Sequence, residues 1–284
     1  MKEKIFNENG CDVRVCEFSS IQEFITWQDE LETPNSVFSS KAYPKTFETL
    51  SSHTGDKEFT DTKNYKEAKD LLESGWTIKA EEITTELNKS KLTIETFKQF
   101  YDVVGFQASV PRYLQGIPTS MVNRKKVTKK KKVITLNSYI SYSANVSAET
   151  ITKNSIEALK VVQAFESQGY RVNLNIFFGS HTNSSKKQII ILKVRIKSAN
   201  ERLNISKVAF PLVHPSMLRR IVFKFMEGWD LITDSSFEFG YGTPLDENNS
   251  GHKRIIKKCM EENEVWLPSR IHDAKVLIEN GLGL

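Results

Sequence analysis

The residues best suited to contact an anionic partner form one basic run near the middle of the chain. No aspartate or glutamate occurs between Val103 and Ala148. Lysine and arginine contact phosphates through their charge, so such a run could bind several phosphates without reading a base sequence. Neighbouring cations also repel one another unless anions screen them. The predicted nucleic-acid-binding residues are Arg124, Lys125, Lys126, Lys129, Lys130, Lys131 and Lys132.

Two features of the sequence leave the role of this run open. Aromatic side chains for stacking on bases are sparse, since only Tyr113 precedes the run and Tyr139 and Tyr142 follow it. A solvated loop without a bound partner is therefore the alternative. Residues 1–102 hold 13 basic and 20 acidic residues, whereas residues 103–284 hold 27 and 15. The acidic part could neutralise the basic part within the protein.

A second group of polar residues could line a pocket. Ser141 and Ser143 follow a predicted strand, and open α/β sheets bind ligands at the carboxyl ends of their strands. His214 could act as a general base if a carboxylate oriented it. Turn and helix-cap hydrogen bonds for the serines, and packing for the histidine, are the structural alternatives. The candidate pocket residues are Ser141, Ser143, His214, Arg219 and Arg220.

The sequence lacks the motifs of the common enzyme classes. It has no Gly-x-Ser-x-Gly elbow, no His-Glu-x-x-His helix and no Cys-x-x-Cys pair. The three cysteines are an odd number without metal-ligand spacing, and they indicate reduced thiols in a cytosol-like compartment. We expect no cofactor and no metal. The protein is predicted to be non-enzymatic, with no catalytic residue assigned.

The apolar periodicity defines the elements that must position these residues. Helices are predicted over residues 18–33, 64–74, 80–89, 94–100, 147–169, 206–225 (broken at His214-Pro215) and 271–280. Strands are predicted over residues 133–142, 172–178, 188–196 and 265–268. The strand at 188–196 is apolar on both faces in its first half and alternates in its second. We expect it to run from the interior to an edge of the sheet.

The order of these elements predicts an α/β fold, a mixed sheet sandwiched by helices with a Rossmann-like or von Willebrand factor A-like core. Residues 1–102 are predicted to form an acidic, mainly helical N-terminal region. Residues 103–284 are predicted to form a basic α/β domain. No stretch is long and apolar enough to span a membrane, so no membrane partner is expected.

Two resemblances accompany this interpretation. The sequence Tyr139-Ile140-Ser141-Tyr142-Ser143 resembles the Asp-x-Ser-x-Ser metal site of von Willebrand factor A domains, with a tyrosine in the place of the aspartate. The resemblance implies a similar core without the metal, because a hard divalent cation prefers carboxylate oxygens. Residues 104–118, 146–151 and 214–220 resemble uncharacterised proteins of tailed bacteriophages and prophages. This second resemblance implies a phage or mobile-element origin and no particular mechanism.

These observations lead to three functional hypotheses. The first is a phage-encoded, non-enzymatic protein that contacts DNA, RNA or another phosphate-rich partner through the basic run. The second is a protein-interaction or virion-assembly module that binds itself or other phage proteins. The third is an enzyme with its site at Ser141, Ser143 and His214. The expected location is the host cytoplasm or the virion.

Overall fold

The structure is a computed structural model that describes residues 1–31, 48, 51–54, 57–89, 97–126, 133–143, 146–181, 188–228 and 241–269. The strands are β1 (Lys2–Glu8), β2 (Cys11–Phe18), β3 (Phe97–Asp102), β4 (Gln107–Ala108), β5 (Met121–Lys126), β6 (Val133–Tyr139), β7 (Arg171–His181), β8 (Gln188–Lys197), β9 (Thr243–Pro244) and β10 (Glu264–Leu267). The helices are α1 (Ile21–Asp29), α2 (Ser51–Thr54), α3 (Lys57–Thr60), α4 (Tyr65–Ser74), α5 (Thr77–Lys89), α6 (Val110–Leu114), α7 (Ala148–Ser167), α8 (Ile205–Val213), α9 (Phe223–Glu227) and α10 (Ser250–Lys258). A π-helical segment, Met217–Val222, precedes α9. The predicted helix at 271–280 and the predicted contacts Lys129–Lys132 lie outside the described residues.

A mixed sheet lies at the centre of the fold. Its strand order is β1-β2-β8-β7-β6-β10, and β9 pairs with β7. The pairs β2/β8, β6/β7 and β6/β10 are parallel, whereas β1/β2 and β7/β8 are antiparallel. Helix α7 connects β6 to β7, as a parallel pair requires a crossover. The prediction of a mixed sheet sandwiched by helices is confirmed.

Alternate residues of the central strands pack on opposite faces of this sheet. On β7, Leu174 and Ile176 belong to the larger core, which also contains residues of α1, α4, α5, α7 and α8. The next residue, Phe177, belongs to a second core with residues of α10. This period of two is the pattern expected for a strand that is covered on both faces.

The first 102 residues contribute strands to the fold as well as the predicted helices. Strands β1 and β2 form a hairpin whose turn residues, Asn9 and Gly10, have φ values of 52° and 74°. Strand β2 then pairs with β8, so this hairpin is part of the central sheet. The helices predicted at 18–33, 64–74 and 80–89 correspond to α1, α4 and α5. The boundary after residue 102 therefore does not separate two cores.

A separate small sheet is formed by residues 97–126 and has the strand order β3-β5-β4. The helix predicted at 94–100 is wrong, because Phe97–Asp102 is strand β3 and pairs with β5. Gly105 lies between β3 and β4, where an added Cβ would approach the carbonyl oxygen of Val122 to 2.3 Å. Only glycine permits so close an approach of two backbones. We call residues 97–126 the small sheet.

Candidate functional site

The small sheet contains the first three residues of the predicted basic run. Arg124, Lys125 and Lys126 end strand β5. The register of β3 and β5 pairs Lys125 directly with Lys98. Residues 97–126 include five basic residues and one acidic residue, Asp102, so this part of the chain has a net positive charge.

Two arginines of the small sheet stack on aromatic rings. The guanidinium carbon of Arg112 lies 4.2 Å from the ring centroid of Tyr101. That of Arg124 lies 4.7 Å from the ring centroid of Phe106. Arg112 is held in place, because its Nε and Nη2 donate to the backbone carbonyl and the hydroxyl of Thr119 at 3.0 and 3.2 Å. Each of these two arginines therefore forms a cation–π contact with an aromatic ring of the small sheet.

The small sheet also exposes apolar side chains. Tyr101 and Phe106 are about half exposed, and Tyr113 on α6 is 71% exposed. Val103, Val104, Val110 and Leu114 are also exposed. A cluster of exposed apolar residues on a folded protein is typical of a binding surface. Aromatic residues are sparse in the sequence beside the basic run, but in the structure Phe106 contacts Arg124 of the run, and Tyr101 contacts Arg112 of the small sheet.

The predicted pocket residues do not all line the same cavity. Ser141, Ser143 and Arg219 line one cleft of about 360 Å³. It lies beyond the carboxyl ends of β6 and β7, two parallel neighbours, where ligands bind in open α/β sheets. His214 lines a smaller cavity of about 50 Å³, which Arg219 also borders. Arg220 lines neither and is fully buried.

Backbone contacts hold the strand ends at the cleft. The Gly179 N–H donates to Ser141 Oγ at 2.8 Å, which ties the residues after β6 to β7. Ser180 Oγ donates to the carbonyl oxygen of Tyr241 at 2.7 Å. Tyr139, in the place of the metal-site aspartate, is buried and donates to the carbonyl oxygen of Leu245 at 3.0 Å. Among the described residues, no cluster of three or more acidic, histidine or cysteine side chains could hold a metal ion.

His214 has a packing and capping environment. Its Nδ1 accepts a hydrogen bond from the Ser216 N–H at 3.1 Å, so the neutral ring carries its proton on Nε2. The ring stacks on Phe210 and packs against the edge of Trp76. The Nε2 atom lies 3.6 Å from a carboxylate oxygen of Asp61. These contacts favour the structural alternative, because Nδ1, the unprotonated nitrogen that a general base would use, already accepts a hydrogen bond from a backbone N–H.

Acid should destabilise the protein through His214. Burial lowers the pKa of His214 to about 4, and the nearby Asp61 only partly opposes this shift. The unfolded chain has a histidine pKa of about 6.5 and binds the proton first, so this contribution is complete above pH ~6.5 and is lost as the pH falls towards ~4. We expect a loss of about 3 kcal/mol from this group, measured by urea unfolding at both pH values.

The variant H214N is the control for this pH dependence. The asparagine oxygen can accept the hydrogen bond from the Ser216 N–H, but the side chain does not titrate. The variant should therefore lose less stability than the wild type between pH ~6.5 and ~4. Equal losses in the two proteins would contradict the assignment of a neutral buried imidazole.

Arg220 of the π-helical segment binds two pairs of residues that are distant from it in sequence, Ser52 and His53, and Thr60 and Thr62. Its Nε donates to Thr62 Oγ1 at 2.6 Å, and Nη2 donates to Thr60 Oγ1 at 2.8 Å and to the Thr62 carbonyl at 2.7 Å. Its Nη1 donates to the carbonyl oxygens of Ser52 and His53, each at 3.0 Å. The π-helical winding directs Arg219 to the cleft, whereas the adjacent Arg220 is enclosed. Arg220 is therefore a structural residue.

Lys193 is a buried lysine on the face of the sheet that packs against α10, and no local sequence pattern predicted it. Lys193 Nζ donates to Glu17 Oε1 and Glu264 Oε2, both at 2.8 Å, and to the Cys259 carbonyl at 3.1 Å. Burial alone would lower the pKa of Lys193, but the hydrogen bonds with the two carboxylates raise it above its usual value. Asn137 also donates to Glu264 Oε2 at 3.1 Å. The cluster joins β2, β8 and β10.

The fold and the cleft define an α/β protein whose mixed sheet carries a cleft at the ends of two parallel strands. None of the described helices is long and apolar enough to cross a membrane. The chain belongs to the family described as a domain of unknown function (DUF7192), whose model matches residues 6–280. No curated protein matches the chain, and no solved structure matches it.

Proposed function

We propose that this protein binds single-stranded nucleic acid through the small sheet. The observation that carries the proposal is two cation–π contacts in the small sheet, between Arg112 and Tyr101 and between Arg124 and Phe106. Proteins that bind single strands combine cations along the phosphate backbone with aromatic rings that stack on successive bases. Both components occur here within residues 97–126.

The exposure of the aromatic rings favours a single strand over a duplex. Bases in a duplex stack on one another, and their faces are not accessible to a protein ring. Tyr113, which is largely exposed, offers a ring face to an unpaired base. Stacking of one base on an aromatic side chain contributes about 1–3 kcal/mol. Because every base has a ring face, this contact would bind without strong sequence preference.

The charge of the surface supports the same proposal. The small sheet has five basic residues and one acidic residue, and the stacked Arg124 is one of the five. A phosphate backbone would offset the repulsion among these cations and would release its own counterions. The binding constant should then fall steeply as the salt concentration rises, with a slope of about 0.7 per phosphate contact for single strands.

The triple variant R124E/K125E/K126E tests the proposal. Its affinity for a labelled single-stranded DNA or RNA oligonucleotide, measured by fluorescence anisotropy, should be lower than that of the wild type by roughly tenfold or more. Its salt slope should also be shallower, because contacts with phosphates are lost. The change Y113A should weaken binding by about 1–3 kcal/mol, whereas Y113F, which keeps the ring, should not.

The matched control carries the same change in charge elsewhere. Lys66, Lys153 and Lys207 are exposed on α4, α7 and α8, and K66E/K153E/K207E should leave most of the affinity intact. If the wild type binds no single strand at low salt, the proposal is wrong. Equal losses in the two triple variants would also contradict it, because they would indicate an effect of net charge alone.

A second candidate function is a protein-interaction module. The exposed apolar side chains Val103, Val104, Val110 and Leu114 are the observation that favours it. A double variant, V104D/L114D, distinguishes the two functions. It should abolish a protein complex measured by light scattering while R124E/K125E/K126E retains that complex. The resemblance to tailed-phage proteins supports a further proposal, that the chain is of phage or prophage origin and acts in the host cytoplasm or the virion.

A further inference from the structure

The cleft beyond β6 and β7 combines three kinds of binding group. Ser143 and Thr243 bring hydroxyls to its lining, Arg219 brings a guanidinium, and Phe223 and Tyr241 bring rings. The two rings are stacked with a centroid separation of 3.6 Å and an angle of 6°. A parallel pair of this kind presents an outer ring face, on which a flat ligand could continue the stack.

The position of the cleft agrees with a ligand site. In the sheet, β6 lies between β7 and β10. Helix α7 precedes β7 and packs on one face of the sheet, whereas α10 precedes β10 and packs on the opposite face. The strand order therefore reverses at β6, and ligands of open α/β sheets bind at such a reversal. Ser141 and Ser143 follow β6 directly. The volume of about 360 Å³ is near the lower end of the range for small-molecule sites.

We propose that this cleft binds a nucleoside monophosphate, with the phosphate at Arg219 and the base on the Phe223–Tyr241 stack. A guanidinium donates two parallel hydrogen bonds to a phosphate, and hydroxyls such as that of Ser143 complete an oxyanion shell. A cation in a partly enclosed cleft gains more from an anion than one in open water, and burial indeed lowers the pKa of Arg219. The volume suits one nucleotide and not a dinucleotide.

This site is separate from the small sheet. Its lining residues come from the segment that follows β6, from the last residues of β7, from the π-helical segment, from α9 and from residues 241–244. None of them belongs to residues 97–126. The two sites therefore make separate predictions, and a variant of one should leave the other unchanged.

Calorimetric titration with adenosine, guanosine, cytidine and uridine monophosphates tests the proposal. At least one of the four should bind with a Kd of about 1 mM or lower. Its affinity should exceed that of inorganic phosphate and of the matching nucleoside by roughly tenfold, since each of these lacks half of the contacts. The variant R219Q should bind the nucleotide roughly tenfold more weakly or worse.

Two control variants and two replacement variants accompany this test. R171Q makes the same substitution at the start of β7, the opposite end of that strand from the cleft, and should bind as the wild type does. R124E/K125E/K126E should also bind as the wild type does. If R219Q does not fold, S143A and F223L replace it, and each should weaken the nucleotide by about threefold or more.

Three results would overturn the proposal. The first is the absence of binding by all four nucleotides. The second is an inorganic phosphate affinity equal to that of the nucleotide, which would exclude the base from the site. The third is loss of nucleotide binding in R124E/K125E/K126E but not in R219Q, which would assign the nucleotide to the small sheet.

Discussion

Replacement of Arg220 by methionine should lower the free energy of unfolding by about 3–5 kcal/mol. Methionine approximates the length of the arginine stem and therefore leaves little cavity, but it donates no hydrogen bond. The two hydroxyls and three carbonyls that Arg220 serves would lose this donor inside the protein. Each buried acceptor without a donor costs about 1–3 kcal/mol, and relief of the buried charge offsets only part of this sum.

Urea unfolding followed by circular dichroism would measure this change. R171M, which alters an exposed arginine in the same way, should shift the free energy of unfolding by less than about 0.5 kcal/mol. R220K should recover little, because a lysine cannot reproduce the planar fork of donors. If R220M changed the free energy of unfolding by less than about 1 kcal/mol, the hydrogen bonds of Arg220 with Ser52, His53, Thr60 and Thr62 would not stabilise the fold as proposed.

Replacement of Lys193 by methionine should have an effect of similar size, about 3–5 kcal/mol. The lysine side chain is 4% exposed, and its removal leaves the buried carboxylate of Glu264 without its cation. A buried charge without a partner is far more costly than the pair itself, because the protein interior does not solvate it. The Cys259 carbonyl would also lose a donor.

An exposed ion pair provides the comparison for Lys193. Lys153 and Glu149 form a pair on α7 in which both side chains are more than two-thirds exposed, and K153M should cost less than about 1 kcal/mol. The double variant K193M/E264Q should lose less unfolding free energy than the sum of the losses in the two single variants, because the neutral glutamine leaves no buried charge without a partner. Additive losses would contradict a direct interaction between the two side chains.

The sequence predicted the helices and inner strands best where local signals act alone. Ser147 accepts a hydrogen bond from the Thr150 N–H at the start of α7, and Gly169, with φ of +87°, follows its end, both as predicted. The β1–β2 hairpin was not predicted, although Asn9-Gly10 is a strong turn signal. Most of β1 is exposed, and its sequence does not alternate between apolar and polar residues, so no period of two marks it as a strand.

Long-range pairing explains the remaining errors. Strand β8 was expected to reach an edge because polar residues alternate in its second half, but β2 lies beside it and Lys193 is buried. An ion pair with residues far away in sequence makes that burial possible, and no local pattern reports it. For the same reason the rings of Tyr101 and Phe106 could not be assigned to Arg112 and Arg124. Ser141, Ser143 and Arg219 line one cleft. The two serines follow β6, where the ends of parallel strands meet at one edge of the sheet, whereas the π-helical segment that brings Arg219 there has no local signal in the sequence.

The pairing of β2 with β8 has a consequence for the order of folding. Glu17 and Lys193, which are joined across these strands, are 176 residues apart in sequence. Closing so long a loop is slow, whereas β6, α7, β7 and β8 are consecutive and can associate first. Strands β1 and β2 precede β8 in the chain and are synthesised before it, so the apolar side chains of β2 are covered only after β8 has been made. We therefore expect the N-terminal hairpin to be among the last elements to dock, and the nascent chain to depend on the turn at Asn9-Gly10 to keep its strands paired meanwhile.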